Sequence, residues 1–182
     1  LRINAAYDQT GELSSLVCAE DAFHDDMIIM YGDLLFRSYI LHDLLEHESE
    51  IVAVVDSSLN NPHTGHTQDL AYCSHPDNRS IFQHEVSLNC VRDQPVPGQG
   101  EASGRWIGMV RFRKQGRKWL EEALRELQER DDFASLGMPE LLNHLIEQGH
   151  VVHVHYVHGH WLDVNAIVDI GRAHDFARGI NP

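Results

Sequence analysis

The chain has few of the features that mark secreted or membrane-bound proteins. Its 182 residues include three cysteines, Cys18, Cys73 and Cys90, which are widely spaced and form no Cys-x-x-Cys pair. Such an odd, scattered set predicts no disulfide framework and favours a reducing, cytoplasmic compartment. No apolar run approaches the roughly 20 residues that a membrane-spanning helix needs. We therefore expect no membrane partner.

Basic residues are also scarce. Lys and Arg number 14 against 28 Asp and Glu, which gives a net charge of −14. Nucleic acids and anionic membranes are bound through basic patches, so this balance argues against both as partners. It suits an enzyme that meets phosphate groups through a divalent metal ion.

Common catalytic signatures are missing as well. The chain contains no Ser-His-Asp arrangement in a recognisable motif, no Gly-x-Ser-x-Gly elbow and no Walker A loop. Its composition is that of an ordinary globular protein, with 42% apolar and 23% charged residues. The length suits one domain with a sizeable core.

Strand-like and helix-like segments alternate along much of the chain. The predicted strands are residues 27–30, 50–56, 69–73, 85–91, 105–112 and 151–157. The predicted helices are residues 12–22, 34–46, 116–130, 139–148 and 166–177. Alternation implies an α/β fold with a mixed, mainly parallel sheet flanked by helices, and the consecutive strands suggest an antiparallel addition over the crevice. Residues 60–66 form a polar cluster that predicts a turn.

The first predicted strand ends in Tyr31-Gly32-Asp33. Ligands of open α/β sheets bind beyond the carboxyl ends of the strands. Gly32 permits a tight turn there, and Asp33 would offer a hard oxygen ligand to hydrated Mg²⁺. Taken alone, this motif slightly favours the simpler interpretation, which is a strand-ending turn.

A second segment has the same form. The apolar run 151–157 is followed by a turn at Gly159, by Trp161-Leu162-Asp163-Val164-Asn165, and then by a helix-like stretch. Two strand ends that each present an aspartate shift the balance towards a metal site. Spacing cannot show that the two carboxylates meet, and this expectation assumes that both strands are central.

Together the two segments resemble the nucleotidyltransferases with a glycosyltransferase-A-like fold. In that family a Gly-Asp and a Trp-x-Asp-Val/Ile-Asn supply the two metal-binding aspartates, so the resemblance implies that Asp33 and Asp163 are catalytic and bind Mg²⁺. It is closest to cytidylyltransferases of the phosphocholine and phosphonate type, including the domain fused to phosphoenolpyruvate mutase in phosphonate biosynthesis. The supporting stretches are residues 11–16, 31–36, 106–108, 138–146 and 158–165.

One departure from the family concerns nucleotide binding. The family opens with a strand, a Gly-rich loop that holds the nucleotide phosphates and a Pro-Lys, and the sequence has no counterpart. Leu1 to Asn4 resemble a point inside the family domain. We therefore expect residues 1–182 to be the C-terminal portion of a single N-terminally truncated domain. The missing loop counts against activity of this chain alone, and an apolar edge or face near Met27 to Met30 should be exposed or covered by a partner.

The resemblance also implies a reaction. CMP would pass from CTP to an aminoalkyl phosphonate such as 2-aminoethylphosphonate, or to phosphocholine, with release of pyrophosphate. The alternatives are a sugar-1-phosphate nucleotidyltransferase and a truncated, non-catalytic binding module. A homodimer or a fused mutase domain is the expected partner.

Candidate substrate ligands follow from the chemistry of such an acceptor. An ammonium group binds well over an aromatic face beside a carboxylate, which nominates Trp106 with Asp56 or Glu140. A phosphonate needs a cation, and Arg111 is our candidate. The basic residues considered for this role are Arg79, Arg105, Arg111, Arg113 and Lys114. The aromatic residues that could form part of such a pocket are Trp106, Trp161, Tyr31 and Tyr156. For each of them separately, a place in the ordinary core is the simpler interpretation.

Histidines are frequent, with 14 in the chain and a dense group between residues 150 and 160. His153 and His155 share a strand face and could chelate Zn²⁺. Their spacing matches no defined zinc motif, so solvated or hydrogen-bonded histidines are favoured. His160 is the exception, because it lies close to Asp163 in sequence and could orient it.

Overall fold

A six-stranded mixed sheet and a separate two-stranded ribbon form the framework of the computed structural model. The structure describes residues 1–58, 69–79, 85–95, 98, 100–167 and 169–179, so the turn predicted at residues 60–66 lies outside the described residues. The strands are β1 (Asp26–Met30), β2 (Leu34–Phe36), β3 (Ile51–Asp56), β4 (Leu70–Cys73), β5 (Leu88–Arg92), β6 (Gly104–Arg113), β7 (His153–Val157) and β8 (Trp161–Asp163). The helices are α1 (Glu12–Val17), α2 (Ser38–Glu46), α3 (Gln115–Gln128), α4 (Met138–Glu147) and α5 (Asp169–Ala177).

The long strand β6 organises the main sheet. Its order is β5-β4-β6-β3-β7, and β1 pairs with the C-terminal half of β6. Strands β3 and β7 are parallel, and the other pairings among the described strands are antiparallel. The predicted mixed α/β sheet with flanking helices is confirmed. Antiparallel pairs contribute more of it than the alternation indicated, because β6 returns between β1 and β3.

The strand that carries the first motif is less buried than predicted. Residues 27–29 are half-buried, and Met30 is 47% exposed. Within the described residues, β1 pairs with β6 along one edge. The apolar run alone suggests a buried, central strand, and β1 is neither, because such a run shows that a strand forms but not how many neighbours it has. The partial exposure of β1 agrees with the exposed apolar edge expected near Met27 to Met30.

Two segments near the motifs differ from the predicted helix boundaries. The helix predicted to begin at Leu34 begins at Ser38, because residues 34–36 form β2 and pair with β8. The helix predicted from Ala166 begins at Asp169. In both places a long-range pairing or a capped turn overrides an apolar pattern that resembles a helix.

The core lies on both faces of β3. Ile51, Ala53 and Val55 pack in the larger apolar cluster with residues of α3 and α4. Val52 and Val54 point to the opposite cluster, which contains buried residues of α2. Burial on both faces explains the uninterrupted apolar sequence of this strand.

No described helix is both long enough and apolar enough to cross a membrane.

Candidate active site

The β2–β8 ribbon brings the two motif aspartates to one place. The ribbon pairs Leu34 with Asp163 and Phe36 with Trp161. Immediately beyond it, the Val164 N–H donates to the Asp33 carbonyl at 3.0 Å. The two aspartates therefore sit at the same end of the ribbon.

Asp33 and Asp163 line a single open cavity of about 520 Å³. The cavity lies beyond the carboxyl end of β1, which is where ligands bind in sheets of this kind. Its lining residues are Glu12, Tyr31, Gly32, Asp33, Leu34, Asp69, Arg105, Trp106, Ile107, Trp161, Asp163 and Asn165. Carboxylates dominate the polar part of this lining.

The turn after Asp163 is held by its own side chains. Asn165 Nδ2 donates to Asp163 Oδ2 at 3.1 Å. The backbone N–H groups of Asn165 and Ala166 donate to Asp169 Oδ2 at 3.2 and 3.0 Å. Asp169 is fully buried at the start of α5. As the first residue of α5, Asp169 accepts N–H groups from the turn before the helix, a role that the sequence analysis did not assign to it.

The donor set fits Mg²⁺. Asp33, Asp163 and Asn165 supply hard carboxylate and amide oxygens, and Mg²⁺ in enzymes is commonly bound by one or two carboxylates, with waters and substrate phosphates completing the shell. Among the described residues, no group of three or more His, Cys, Asp or Glu side chains is arranged to hold a metal ion. Two carboxylates and one amide would leave the rest of an Mg²⁺ shell to water and substrate phosphates.

An aromatic wall closes one side of the cavity. The rings of Tyr31 and Trp106 meet edge to face, with centroids 5.4 Å apart and planes at 64°. The Tyr31 N–H donates to the Gly108 carbonyl at 3.0 Å, and Gly108 has φ +82°. A Cβ atom at Gly108 would overlap the Tyr31 ring, so this position requires glycine. Trp106 is 1% exposed and its Nε1–H donates to the Met109 carbonyl, so it serves as core and as cavity wall.

Two carboxylates that the sequence analysis did not single out, Glu12 and Asp69, also line the cavity. Gly11 positions Glu12, because its N–H donates to the Ala134 carbonyl at 2.7 Å and a Cβ there would overlap the Leu136 carbonyl. Asp69 is 7% exposed and has φ +42°. Burial and, to a lesser extent, the nearby charge of Glu12 raise the pKa of Asp69 to about 6. No periodic pattern in the sequence marks Asp69 as a site residue.

Glu12 and Asp69 together form what we call the acidic corner of the cavity, and Glu140 lies behind it. Its Oε2 accepts the Gly137 N–H at 2.8 Å and so caps α4. The Glu12 carboxylate reaches the same glycine, where a Cβ would overlap it. Glu140 therefore contributes charge near the cavity without being among its lining residues, which weakens its predicted role as an amine ligand.

Arg111, which was predicted to bind the phosphonate, does not line the cavity. Arg111 is 3% exposed; its Nε donates to Asp26 Oδ1 at 2.7 Å and its Nη2 to Asp26 Oδ2 at 2.5 Å. Its Nη1 donates to the carbonyls of Leu44, Leu45 and His47 at the end of α2. This hydrogen bonding holds the pKa of the Asp26 carboxyl below its usual value. Arg111 thus joins β6, β1 and α2 and is not a substrate ligand.

Arg105 is the basic residue that lines the cavity among the described side chains. Burial lowers its pKa, whereas the carboxylates of Asp163, Asp69 and Asp56 oppose that shift. A guanidinium stays charged under such conditions. Arg105 and Arg111 lie on the same strand, and a register shift between β3 and β6 lies between them. Arg105, which was also considered as the cation of the site, lines the cavity, whereas Arg111 does not.

Asp56 was predicted to be an amine ligand, and this is a second correction. It is 1% exposed and is not among the cavity-lining residues. Its carboxylate accepts hydrogen bonds from Ser58, Gly159 and Trp161, so the protein itself uses both oxygens.

Among the histidines, His160 was predicted to orient Asp163, but the described contact of that kind comes from Asn165. His160 hydrogen-bonds through Nδ1 with the Tyr39 hydroxyl at 2.9 Å, whereas Asn165 contacts the Asp163 carboxylate. His153 and His155 are half-buried along a second cavity of about 500 Å³ that His47 also lines. Burial lowers the pKa of His155 and of His47, which favours neutral imidazoles.

The architecture around this site is that of the nucleotidyltransferases with a glycosyltransferase-A-like fold, as the motifs predicted. An inositol-1-phosphate CTP transferase from T. maritima matches with a TM-score of 0.67, over 97% of this chain and 64% of that chain, at 13% identity. The CTP:phosphocholine cytidylyltransferase from Streptococcus pneumoniae matches with a TM-score of 0.64, over 96% of this chain and 67% of that chain, at 11% identity.

The sequence itself is similar to a cytidylyltransferase. The CTP:phosphoglutamine cytidylyltransferase of Campylobacter jejuni is 24% identical over 185 residues, which cover 92% of this chain and 69% of that protein. No protein-family model matches the chain. The chain spans about two thirds of the length of these three proteins. The predicted resemblance to cytidylyltransferase-type nucleotidyltransferases is thus confirmed.

The raised pKa of Asp69 predicts a pH-dependent cost to stability. The carboxyl has a pKa of about 6 when folded, against roughly 4 in an unfolded chain, so the folded state holds a proton that the unfolded state has lost between these values. Stability contributed by this group therefore falls as the pH rises from about 4 to 6. Asp69→Asn should raise the free energy of unfolding by about 2–3 kcal/mol at pH 7.5 and change it little at pH 4.

Denaturant unfolding of both proteins at pH 4, 5.5 and 7.5 measures this difference. Asp132→Asn is the matched control. Because Arg130 lowers the pKa of Asp132, that substitution should lower the free energy of unfolding at pH 7.5 and not raise it. A gain from Asp69→Asn that is the same at all three pH values would contradict the assignment.

Proposed function

We propose that the protein is a metal-dependent nucleotidyltransferase that transfers CMP from CTP to a phosphate or phosphonate bearing an amine, with release of pyrophosphate. The observation that carries this proposal is the meeting of Asp33 and Asp163 on one cavity at the end of the β2–β8 ribbon. The similarity to enzymes named for CTP supports the choice of nucleotide.

Each polar residue of the cavity has a role in this proposal. Asp33 and Asp163 would hold Mg²⁺, with Asn165 fixing the second carboxylate. The bound ion would offset the charge of the nucleotide phosphates and the leaving pyrophosphate. Arg105 would pair with an oxygen of the acceptor phosphate or phosphonate, since a guanidinium matches that geometry.

The acidic corner gives the reason for an amine. Glu12 and Asp69 stand beside the aromatic wall of Tyr31 and Trp106. A carboxylate beside an aromatic face attracts an ammonium group, by charge and by cation–π contact. An acceptor that carries both charges would place its anion at the metal and Arg105, and its amine at this corner. 2-Aminoethylphosphonate and phosphocholine both have this pattern.

A second candidate is a transferase for a polyol 1-phosphate or sugar 1-phosphate, an acceptor without an ammonium group. The structural match to an enzyme named for inositol 1-phosphate favours it. The difference between the two candidates lies in the acidic corner, because an acceptor without an ammonium group gains nothing from two carboxylates at that position.

Removing either motif carboxylate should strongly weaken metal binding without unfolding the protein. Asp33→Asn and Asp163→Asn should each weaken Mn²⁺ binding in the presence of CTP by about 100-fold or more, since even outer residues of metal sites contribute about 10–100-fold. Electron paramagnetic resonance titration of free Mn²⁺ measures the affinity, and thermal unfolding checks the fold. Asp132→Asn, an exposed carboxylate paired with Arg130, should bind Mn²⁺ as the unmodified protein does.

The acceptor is tested by a pyrophosphate-release assay. CTP or UTP is combined with 2-aminoethylphosphonate, phosphocholine, inositol 1-phosphate or glucose 1-phosphate. We expect CTP with an amine-bearing acceptor to be preferred. Asp69→Asn or Glu12→Gln should raise KM for that acceptor about 10-fold, the usual effect of losing a charged hydrogen bond. Turnover with UTP and glucose 1-phosphate alone would refute the proposal.

A further inference from the structure

The loop between β7 and β8, residues 158–160, decides where Asp163 lies. It contains two consecutive residues in the left-handed region, Gly159 with φ +68° and His160 with φ +65°. A histidine adopts this conformation far less readily than glycine does. The loop therefore needs contacts from outside to keep its shape.

Asp56 supplies the most buried of these contacts. Its Oδ1 accepts the Gly159 N–H at 3.0 Å, and its Oδ2 accepts the Trp161 indole N–H at 2.7 Å. Ser58 completes the shell of Oδ1, through its N–H at 2.9 Å and its hydroxyl at 2.6 Å. The end of β3 is thus tied to both the loop and the first residue of β8.

The tie to Trp161 extends to Asp163. The two residues are two positions apart on a strand, so their side chains share a face, and both line the active-site cavity. Across the ribbon, Trp161 pairs with Phe36 and Asp163 pairs with Leu34. A shift of Trp161 would therefore move Asp163 relative to Asp33.

We propose that Asp56 is a positioning residue that sets the register of β8, and so the alignment of Asp163 with Asp33, through its bonds to Gly159 and Trp161. Its effect on a metal ion rests on the proposed function, whereas its hold on the loop does not. The role differs from that of an amine ligand, because both oxygens already accept bonds from the protein.

The conservative substitution Asp56→Asn isolates this role. An asparagine has one acceptor oxygen, and its NH₂ group is a donor. If the oxygen takes the place of Oδ1, where three donors converge, the NH₂ group faces the Trp161 indole N–H, and two donors meet. The bond to Trp161 is then lost while the size of the side chain is kept.

Two readouts follow the loop without requiring activity. One is the ¹⁵N–¹H resonance of the Trp161 indole, which reports its hydrogen bond. The other is the hydrogen exchange of the Val164 amide, which bonds to the Asp33 carbonyl. In Asp56→Asn we expect the indole proton to move upfield and the Val164 amide to exchange about 10-fold faster or more. The exposed control Asp132→Asn should change neither.

A second variant guards against a general loss of structure. Trp161→Phe keeps an aromatic ring and removes the indole donor to Asp56, together with the volume of the second ring. If Asp56 acts through Trp161, a protein that carries both substitutions should exchange the Val164 amide no faster than Asp56→Asn alone. The effects of substitutions at two residues that share one interaction are not additive. Mn²⁺ affinity should fall about 10–100-fold in all three variants, the range found for groups that orient metal ligands.

The outcomes separate this inference from the proposed function. Faster Val164 exchange with weaker Mn²⁺ binding supports both. Faster exchange in a protein that binds no Mn²⁺ even when unmodified supports the positioning role and refutes the metal site. Unchanged Val164 exchange in Asp56→Asn overturns the inference. So does a raised KM for an amine-bearing acceptor with exchange and Mn²⁺ binding unchanged, because that result would make Asp56 a substrate ligand.

Discussion

The candidate active site depends on the antiparallel pairing of two three-residue strands, β2 and β8. Each strand adjoins a glycine-containing turn, and each turn follows a strand of the main sheet. The pairing closes a long stretch of chain between Asp33 and Asp163, so its backbone bonds must offset the entropy of that closure. A one-residue slip would turn Asp163 to the other face of the ribbon and away from the cavity. The register of this ribbon is thus the constraint from which the rest of the site follows.

Charge is distributed so that the cavity is acidic before any ligand binds. Arg111, a basic residue placed within the protein, is committed to Asp26 and to the end of α2. Arg105 faces the carboxylates of the cavity and is outnumbered by them. An anionic nucleotide would therefore enter favourably only with a divalent cation, whereas an ammonium group would be attracted directly. The same arrangement thus favours a metal-bound nucleotide at the ribbon and a cationic end of the acceptor at the acidic corner.

Much of the fold was predictable because its signals are local. Uninterrupted apolar residues predict buried strands such as β3, and amphipathic periodicity predicts helices such as α3 and α4. The placement of Asp33 and Asp163 at one cavity was predictable because two segments of the same form resemble one family. The strand β2 was missed because Leu34-Leu35-Phe36 carries no local sign of a partner far away in sequence. Arg105 was considered but Arg111 was preferred, and Asp69 was missed, because no local pattern tells which side chain at a strand end lines the cavity.

The central claim is that Asp33 and Asp163 share one divalent cation. Anomalous diffraction from crystals grown with Mn²⁺ and CTP tests it most directly. The account predicts a single Mn²⁺ peak in the cavity, with a carboxylate oxygen of each aspartate about 2.1–2.2 Å from the ion, close to the distances of Mg²⁺ sites. A peak bound by one aspartate while the other points away, or a nucleotide-bound ion elsewhere on the protein, would contradict the account.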